Sequence, residues 1–160
     1  MPAINPEFVV PFLDATQSTF RLMMNREVRR TDVYIKKNHV MFGDISGEIG
    51  MSGHDVCGTA SISLPAPLAI ACVCDMLGES KENVSDLIIR DGVGEMINMI
   101  AGGAKTTFGN TKYRFDISLP TIISGHGHEI YHKNGTTWLS TIFETKDKDE
   151  FSVDVCVNDL

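Results

Sequence analysis

The sequence predicts an α+β fold: a mostly antiparallel sheet with helices packed on it, in two pseudo-repeated helix–three-strand halves. Three observations support this. Helix-period and strand-period segments come in groups, helix then three strands then helix, and again helix then strands, whereas a parallel α/β sheet alternates them singly. Residues 151–157 alternate Phe151, Val153, Val155 and Val157 with Ser152, Asp154 and Cys156, the period of a strand with one buried face. The 160 residues have the length of a single domain, 1–160, and no linker-like stretch separates the halves at about 5–80 and 81–157.

In chain order, Pro6–Asn25 carries Phe8, Val9, Phe12, Phe20 and Met23/Met24 on one broad side and is expected to be a helix. Strands are expected at Thr31–Lys37, Phe42–Met51 and Val56–Leu64, parted by the turn-like Lys37-Asn38-His39 and Ser52-Gly53-His54-Asp55. Ala66–Leu77 reads as a buried helix ending at Gly78, a favourable C-terminal stop. A long helix lies within Asn83–Phe108, and strands are expected at Tyr113–Ser118, His128–Lys133, Thr137–Glu144 and Phe151–Val157. Asn134-Gly135 is the strongest hairpin signal, because both residues tolerate positive φ. The run Lys146-Asp147-Lys148-Asp149-Glu150 reads as a charged hairpin loop.

Composition narrows the function classes. With 42% hydrophobic and 22% charged residues the chain is globular rather than disordered. Its 14 basic against 21 acidic residues give a net charge of −7, which offers no general attraction to nucleic acid or anionic lipid and suits a positively charged partner surface. No basic residue precedes the first apolar run, unlike a signal peptide, and the most apolar stretch, Leu68–Cys74, is a fraction of the ~20 residues of a membrane span. Cys57, Cys72, Cys74 and Cys156 form no paired metal knuckle; reduced structural thiols in the cytoplasm are expected. No GxGxxG, P-loop or GxSxG segment points to nucleotide or acyl-enzyme chemistry. His126, His128 and His132 would share one face of a strand, but the glycines at 125 and 127 favour a loop, and no metal is expected there. Met96 and Met99 read as core or dimer-surface filler.

The informative segment is 91–105, DGVGEMINMIAGGAK. At about 100° per residue, with Asp91 at zero, Glu95 falls at about 40°, Asn98 at about −20° and Gly102 at about 20°. Val93, Met96, Ile97, Ile100 and Ala104 fall on the opposite side as a core stripe. Gly92, Gly94, Gly102 and Gly103 each cost on the order of 1 kcal/mol relative to Ala inside a helix. Bare flanks at Gly92 and Gly94 would leave Glu95 and Asn98 standing proud, able to enter a cleft on another molecule. The alternative is close packing against the protein's own sheet, the use expected for Gly103. Helix geometry alone leaves the polar line either an ordinary solvated face or a docking face.

This segment resembles the signature of the CheC/CheX family of chemotaxis phosphatases: Asp or Ser, three residues, Glu, two residues, Asn, and a Pro slightly over twenty residues later. Here these are Asp91, Glu95, Asn98 and Pro120. The resemblance extends through GDISGEIGMSG and GTASISLPAPLAIACVCDMLGE to most of the chain, roughly residues 5–157. CheC-like members carry the motif in both halves, whereas the first helix here has Asp14-Ala15-Thr16-Gln17, so Asp14 and Gln17 are expected to be ordinary surface residues. One intact motif in the second half is similar to the CheX branch.

The resemblance implies a phosphatase acting on the aspartyl phosphate of a CheY-like response regulator in chemotaxis or two-component signalling. Glu95 and Asn98 would be catalytic, and Asp91, Gly94 and Gly102 would meet the partner. An amide both donates and accepts without titrating, so Asn98 suits a water-holding role, as the water-orienting Gln of GTPases does. Glu95 suits pairing with the receiver's active-site lysine. The resemblance also implies Mg²⁺ in the partner receiver, no cofactor of the chain's own, and a homodimer joined through the sheet. The alternative is a non-catalytic receiver-binding adaptor or flagellar-switch-associated component.

Overall fold

The computed structural model describes residues 5–157; residues 1–4 and 158–160, the ends of the expected 1–160 domain, lie outside the described residues. The first helix, α1 (Pro6–Met24), starts where the Asn5 side chain accepts the Glu7 N–H at 3.0 Å and stops at Asn25, which takes a left-handed φ of 51°. Three strands follow, β1 (Val28–Ile35), β2 (Ile45–Ser52) and β3 (Cys57–Leu64), and then α2 (Ala66–Leu77), which ends at Gly78 as expected, with φ 64°. A 3₁₀ turn at Lys81–Asn83 leads to α3 (Asp86–Phe108), whose first turn is capped by the Ser85 hydroxyl accepting from the Ile88 N–H at 3.3 Å. The remaining strands are β4 (Asp116–Ile117), β5 (Thr121–Ser124), β6 (Thr137–Thr145) and β7 (Glu150–Val157).

All strands join one antiparallel sheet in the order β1-β6-β7-β3-β2, with β4 and β5 end to end along the outer side of β2. Exchanging β1, β2 and β3 with β5, β6 and β7 leaves this order unchanged, so the two halves meet at the central β3–β7 pair. The helices cover one face. Phe12, Phe20, Ile49, Ile62, Met96, Ile97, Ile100, Val153 and Val155 fill the layer between, each fully or almost fully buried. Phe20 stacks on Phe151 with centroids 4.5 Å apart, and Phe8 stacks on Phe108 at 5.1 Å, tying α1 to the sheet and to α3. α3 lies close over β2 because Gly47 has no side chain: a Cβ there would stand 3.1 Å from Ile97 Cγ2 and 3.3 Å from the Val93 carbonyl oxygen.

Several expectations are corrected. The run Tyr113–Ser118 is strand only at Asp116–Ile117, because Tyr113 and Phe115 turn into the aromatic cluster of Phe8, Phe12 and Phe108. Thr121–Ser124 is a strand that periodicity did not mark. His128–Lys133 is not a strand; it contributes one bridge, Glu129 to Val40, and the Ile130 N–H donates to the His39 carbonyl at 2.9 Å. Asn134-Gly135 does form a turn, but Gly135 alone has positive φ (87°), and no strand precedes the turn to make a hairpin. The charged loop after Thr145 is a hairpin loop, closed by the Thr145 N–H donating to the Asp149 carbonyl at 2.9 Å.

The far face of the sheet is the largest departure: β7 is buried on both sides. The segments around Met41 and Ile130 lie across it and bury Trp138 and Cys156 in a second, small apolar cluster. Beside them Asp154, 1% exposed, accepts from Trp138 Nε1 at 2.9 Å and from the Ser140 hydroxyl at 2.6 Å, and pairs with Lys36 Nζ at 3.7 Å. Lys36 Nζ sits 4.3 Å from the centre of the Trp138 ring. Burial pushes the Asp154 carboxyl up and the Lys36 ammonium down from their ordinary values, each against the pull of its partners.

Candidate functional site on the third helix

Helical geometry divides α3 as its sequence requires. Val93, Met96, Ile97, Ile100 and Ala104 are buried on the sheet, Asp91 and Glu95 are exposed, and Asn98 and Gly102 are half-buried. Among the described residues the side chains of Asp91, Glu95 and Asn98 make no hydrogen bond or ion pair. A carboxylate and an amide one turn apart on a packed helix, neither used by the fold, can offer one charge and one donor–acceptor pair to an outside molecule. Lys105, further along the same helix, is held by Asp116 of β4 at 3.2 Å.

The four glycines divide by what their missing side chains would touch. At Gly92 a Cβ would stand 2.5 Å from Val73 Cγ2 of α2, and at Gly103 it would stand 2.9 Å from the Ala15 Cβ of α1. Both are therefore close-packing positions, Gly103 against α1 rather than against the sheet. Gly94 is buried, with Pro120 Cγ at 3.5 Å and Ile122 Cδ1 at 3.4 Å from where its Cβ would be, so neither Gly92 nor Gly94 is a bare flank. At Gly102 nothing lies within 4 Å, and its cost to the helix has no internal packing reason.

Pro120 reaches α3 through an irregularity in the outer strand. Met51 pairs with Ile117 and Glu48 with Thr121, so three residues, 118–120, stand opposite two, Ile49 and Gly50. This is a β-bulge, a device that bends a strand and re-aims its side chains. Ser118 fixes it: its N–H donates to the Gly50 carbonyl at 2.9 Å, while its hydroxyl oxygen accepts the Gly50 N–H at 2.8 Å.

The counterpart on α1 is built differently. Asp14 is exposed, but the Gln17 amide donates to the Val28 carbonyl at 3.3 Å and so anchors the start of β1. The histidines do not converge. His126 lies exposed beside Asp44, His128 Nε2 is 2.7 Å from the Ser46 hydroxyl, and His132 Nε2 is 3.1 Å from a Glu48 oxygen. No group of three His, Cys, Asp or Glu residues that could hold a metal ion occurs among the described residues. No helix among the described residues is long and apolar enough to cross a membrane.

Residues 43–144 match the family described as Chemotaxis phosphatase CheX. The chain belongs to this family. No curated protein matches it. Among solved structures, the chain is similar to a CheX chemotaxis protein from Desulfovibrio desulfuricans, with TM-score 0.84 and 32% identity over 95% of this chain and 99% of that one. It is equally similar to CheX from Vibrio vulnificus, with TM-score 0.84 and 33% identity over 95% and 99%. The CheX component of a CheX–CheY–BeF₃–Mg²⁺ complex from Borrelia burgdorferi has TM-score 0.79 and 25% identity, over 95% of this chain and 98% of that one. CheX membership accounts for the three-helix, seven-strand antiparallel architecture and makes the chain a chemotaxis phosphatase by family.

Proposed function

We propose that the chain hydrolyses the aspartyl phosphate of a CheY-like receiver domain, with Asn98 and Glu95 as the catalytic pair. The observation that carries this reading is the pairing of an exposed Glu95 with a half-buried Asn98 on one face of a packed helix, with no hydrogen bond or ion pair to either side chain among the described residues. The similarity to a CheX crystallised with CheY, BeF₃ and Mg²⁺ supports the choice of partner, since BeF₃ is a tetrahedral stand-in for a phosphoryl group.

The division of labour follows from the chemistry. Asn98 holds a water in line with the phosphorus, its carbonyl oxygen accepting one water proton while its NH₂ orients the phosphoryl oxygens. Water attacks phosphorus and the bond from phosphorus to the aspartyl oxygen breaks. The products are inorganic phosphate, which keeps the water oxygen, and the free receiver carboxylate; the surplus proton leaves with phosphate or solvent. Glu95 pairs with a receiver lysine and sets the docking angle. Asp91 and Gly102 lie along the same face, and Gly102 lets the partner's backbone come close. Gly94 acts one step removed, by seating Pro120. Mg²⁺ belongs to the receiver.

Two copies join through the edge of β1, where Val33, Tyr34 and Ile35 are exposed and no strand among the described residues covers the backbone. The opposite edge is blunted by the bulge and Pro120.

The test is phosphate release from a panel of phosphorylated receiver domains. The chain accelerates release from a CheY-like receiver, and chelating Mg²⁺ abolishes the acceleration. Equal acceleration from a metal-free receiver refutes the division of labour, and no acceleration with any receiver refutes the activity.

A further inference from the structure

The outer-strand bulge has a consequence beyond seating Pro120. It pushes Leu119 out of the strand until the residue is 88% exposed, the highest value among the exposed large hydrophobic residues of the described part of the chain. The bulge is held at both ends: Ser118 is bonded to Gly50 on one side, and Pro120 lies against Gly94 on the other. Leu119 is therefore displayed on a fixed turn beside α3, on the Gly94 flank of the Glu95–Asn98 pair. On the same flank Leu87, at about −40° where Asn98 is at about −20°, stands one turn before Asp91 and is 64% exposed. A lone exposed leucine is ordinary on a protein surface; two on one flank of an unpartnered polar pair, one of them held on a fixed turn, offer apolar area to whatever docks at that pair.

We propose that Leu119 and Leu87 form the apolar docking surface of this site, which grips the receiver domain beside its phosphorylated aspartate and sets partner choice. This inference rests on the reading that a receiver docks at Glu95 and Asn98. Both leucines flank that pair: Leu119 precedes Pro120, which packs on Gly94 one residue before Glu95, and Leu87 lies one turn before Asp91. The acidic face of α3 gives direction and charge but little contact area. Apolar anchors beside a polar catalytic pair supply the affinity, while rim charges act mainly on rate of encounter and register. Leu119 is thus a binding residue, and its removal acts on affinity rather than on the chemical step.

The experiment titrates the intact protein against receiver loaded with BeF₃⁻ and Mg²⁺, and measures phosphate release with phosphorylated receiver. The proteins are wild type, Leu119→Ala, Leu119→Asp, Leu87→Asp, and Tyr131→Ser, an exposed apolar position on the strap across the far face. Leu119→Ala should raise Kd and KM about tenfold or more and leave kcat within about twofold, the size expected when one leucine is no longer buried. Leu119→Asp and Leu87→Asp should also weaken binding, and Tyr131→Ser should match wild type. The leucine variants should melt like wild type, since the changed residues are exposed; Tyr131→Ser loses a ring contact with His39 and a hydrogen bond to Glu129, so its melting curve is the folding control for that variant. A Leu119→Asp protein that binds and turns over as wild type overturns the inference and leaves the phosphatase reading standing. Wild type that binds and is disabled by Leu119→Asp, yet releases no phosphate, upholds the surface and overturns the activity. Wild type that binds none of the receivers overturns both.

Discussion

Asp154→Ala tests the buried network on the far side of the sheet and, with it, the separation of scaffold from site. The carboxylate is 1% exposed, its Lys36 partner's side chain is 5% exposed, and two further donors, Trp138 Nε1 and the Ser140 hydroxyl, point at it. Truncation leaves a buried ammonium and two buried donors without their acceptor. Breaking a buried pair by removing one partner costs about 3–5 kcal/mol. At about 2–4 °C per kcal/mol for a chain of this length, Tm should fall by roughly 6–20 °C. Adding Lys36→Met to Asp154→Asn should recover part of the loss, because the cation disappears while Asn still accepts from Trp138; the coupling in the double-mutant cycle should exceed about 1 kcal/mol. The assay is thermal and urea unfolding, with phosphate release measured well below Tm. Because Asp154 lies on the face of β7 opposite α3, kcat should stay within about twofold of wild type. A stability loss under about 1 kcal/mol would refute the network's structural role, and a selective loss of kcat in folded protein would refute the separation.

Other outcomes follow from the same geometry. Gly102→Ala should stabilise α3 by about 0.5–1 kcal/mol while raising KM for the receiver, whereas Gly92→Ala, facing Val73 at 2.5 Å, should lower Tm; paired melting and kinetic curves separate the two effects. Burial pushes the thiols of Cys72 and Cys156 up to about 12, so a thiol reagent at pH 8 should leave both unmodified until the protein is denatured. Light scattering at micromolar concentration should give twice the 17.6 kDa monomer mass, and Ile35→Pro, at a β1 position whose N–H faces away from β6, should return it to monomer; a monomeric wild type contradicts the proposed pairing.

What could be read from the sequence was whatever local chemistry decides. α2 was legible to the residue, because its apolar run is bounded by prolines and by a glycine that takes the left-handed stop at 78. The division of α3 into a core stripe and a line through Asp91, Glu95, Asn98 and Gly102 follows from helix period alone. Features set by distant partners were not legible. Gly92 and Gly103 read as exposed flank or sheet contact until Val73 and Ala15, from other helices, occupied the space beside them. Ser152 and Asp154 read as the solvent side of β7, because nothing local shows that Lys36 and the segments around Met41 and Ile130 cross over them. Tyr113 and Phe115 alternate like a strand, yet an aromatic cluster draws them in. Leu119 gave no sign of its place, since its exposure comes from a register shift against Glu48 and Met51 rather than from its neighbours in sequence.

The central claim is that Asn98 positions the attacking water while Glu95 docks the partner. Phosphate-release kinetics on Asn98→Ala and Glu95→Ala test it directly, with melting curves to confirm that both exposed-face variants stay folded. The account predicts that Asn98→Ala binds the BeF₃⁻-loaded receiver nearly as wild type and loses about 100-fold or more in kcat, since a misplaced nucleophile forfeits about that much. It predicts that Glu95→Ala loses affinity in a salt-sensitive way and raises KM. An Asn98→Ala protein with wild-type kcat would contradict the account and leave this helix face a receiver-binding surface without chemistry of its own.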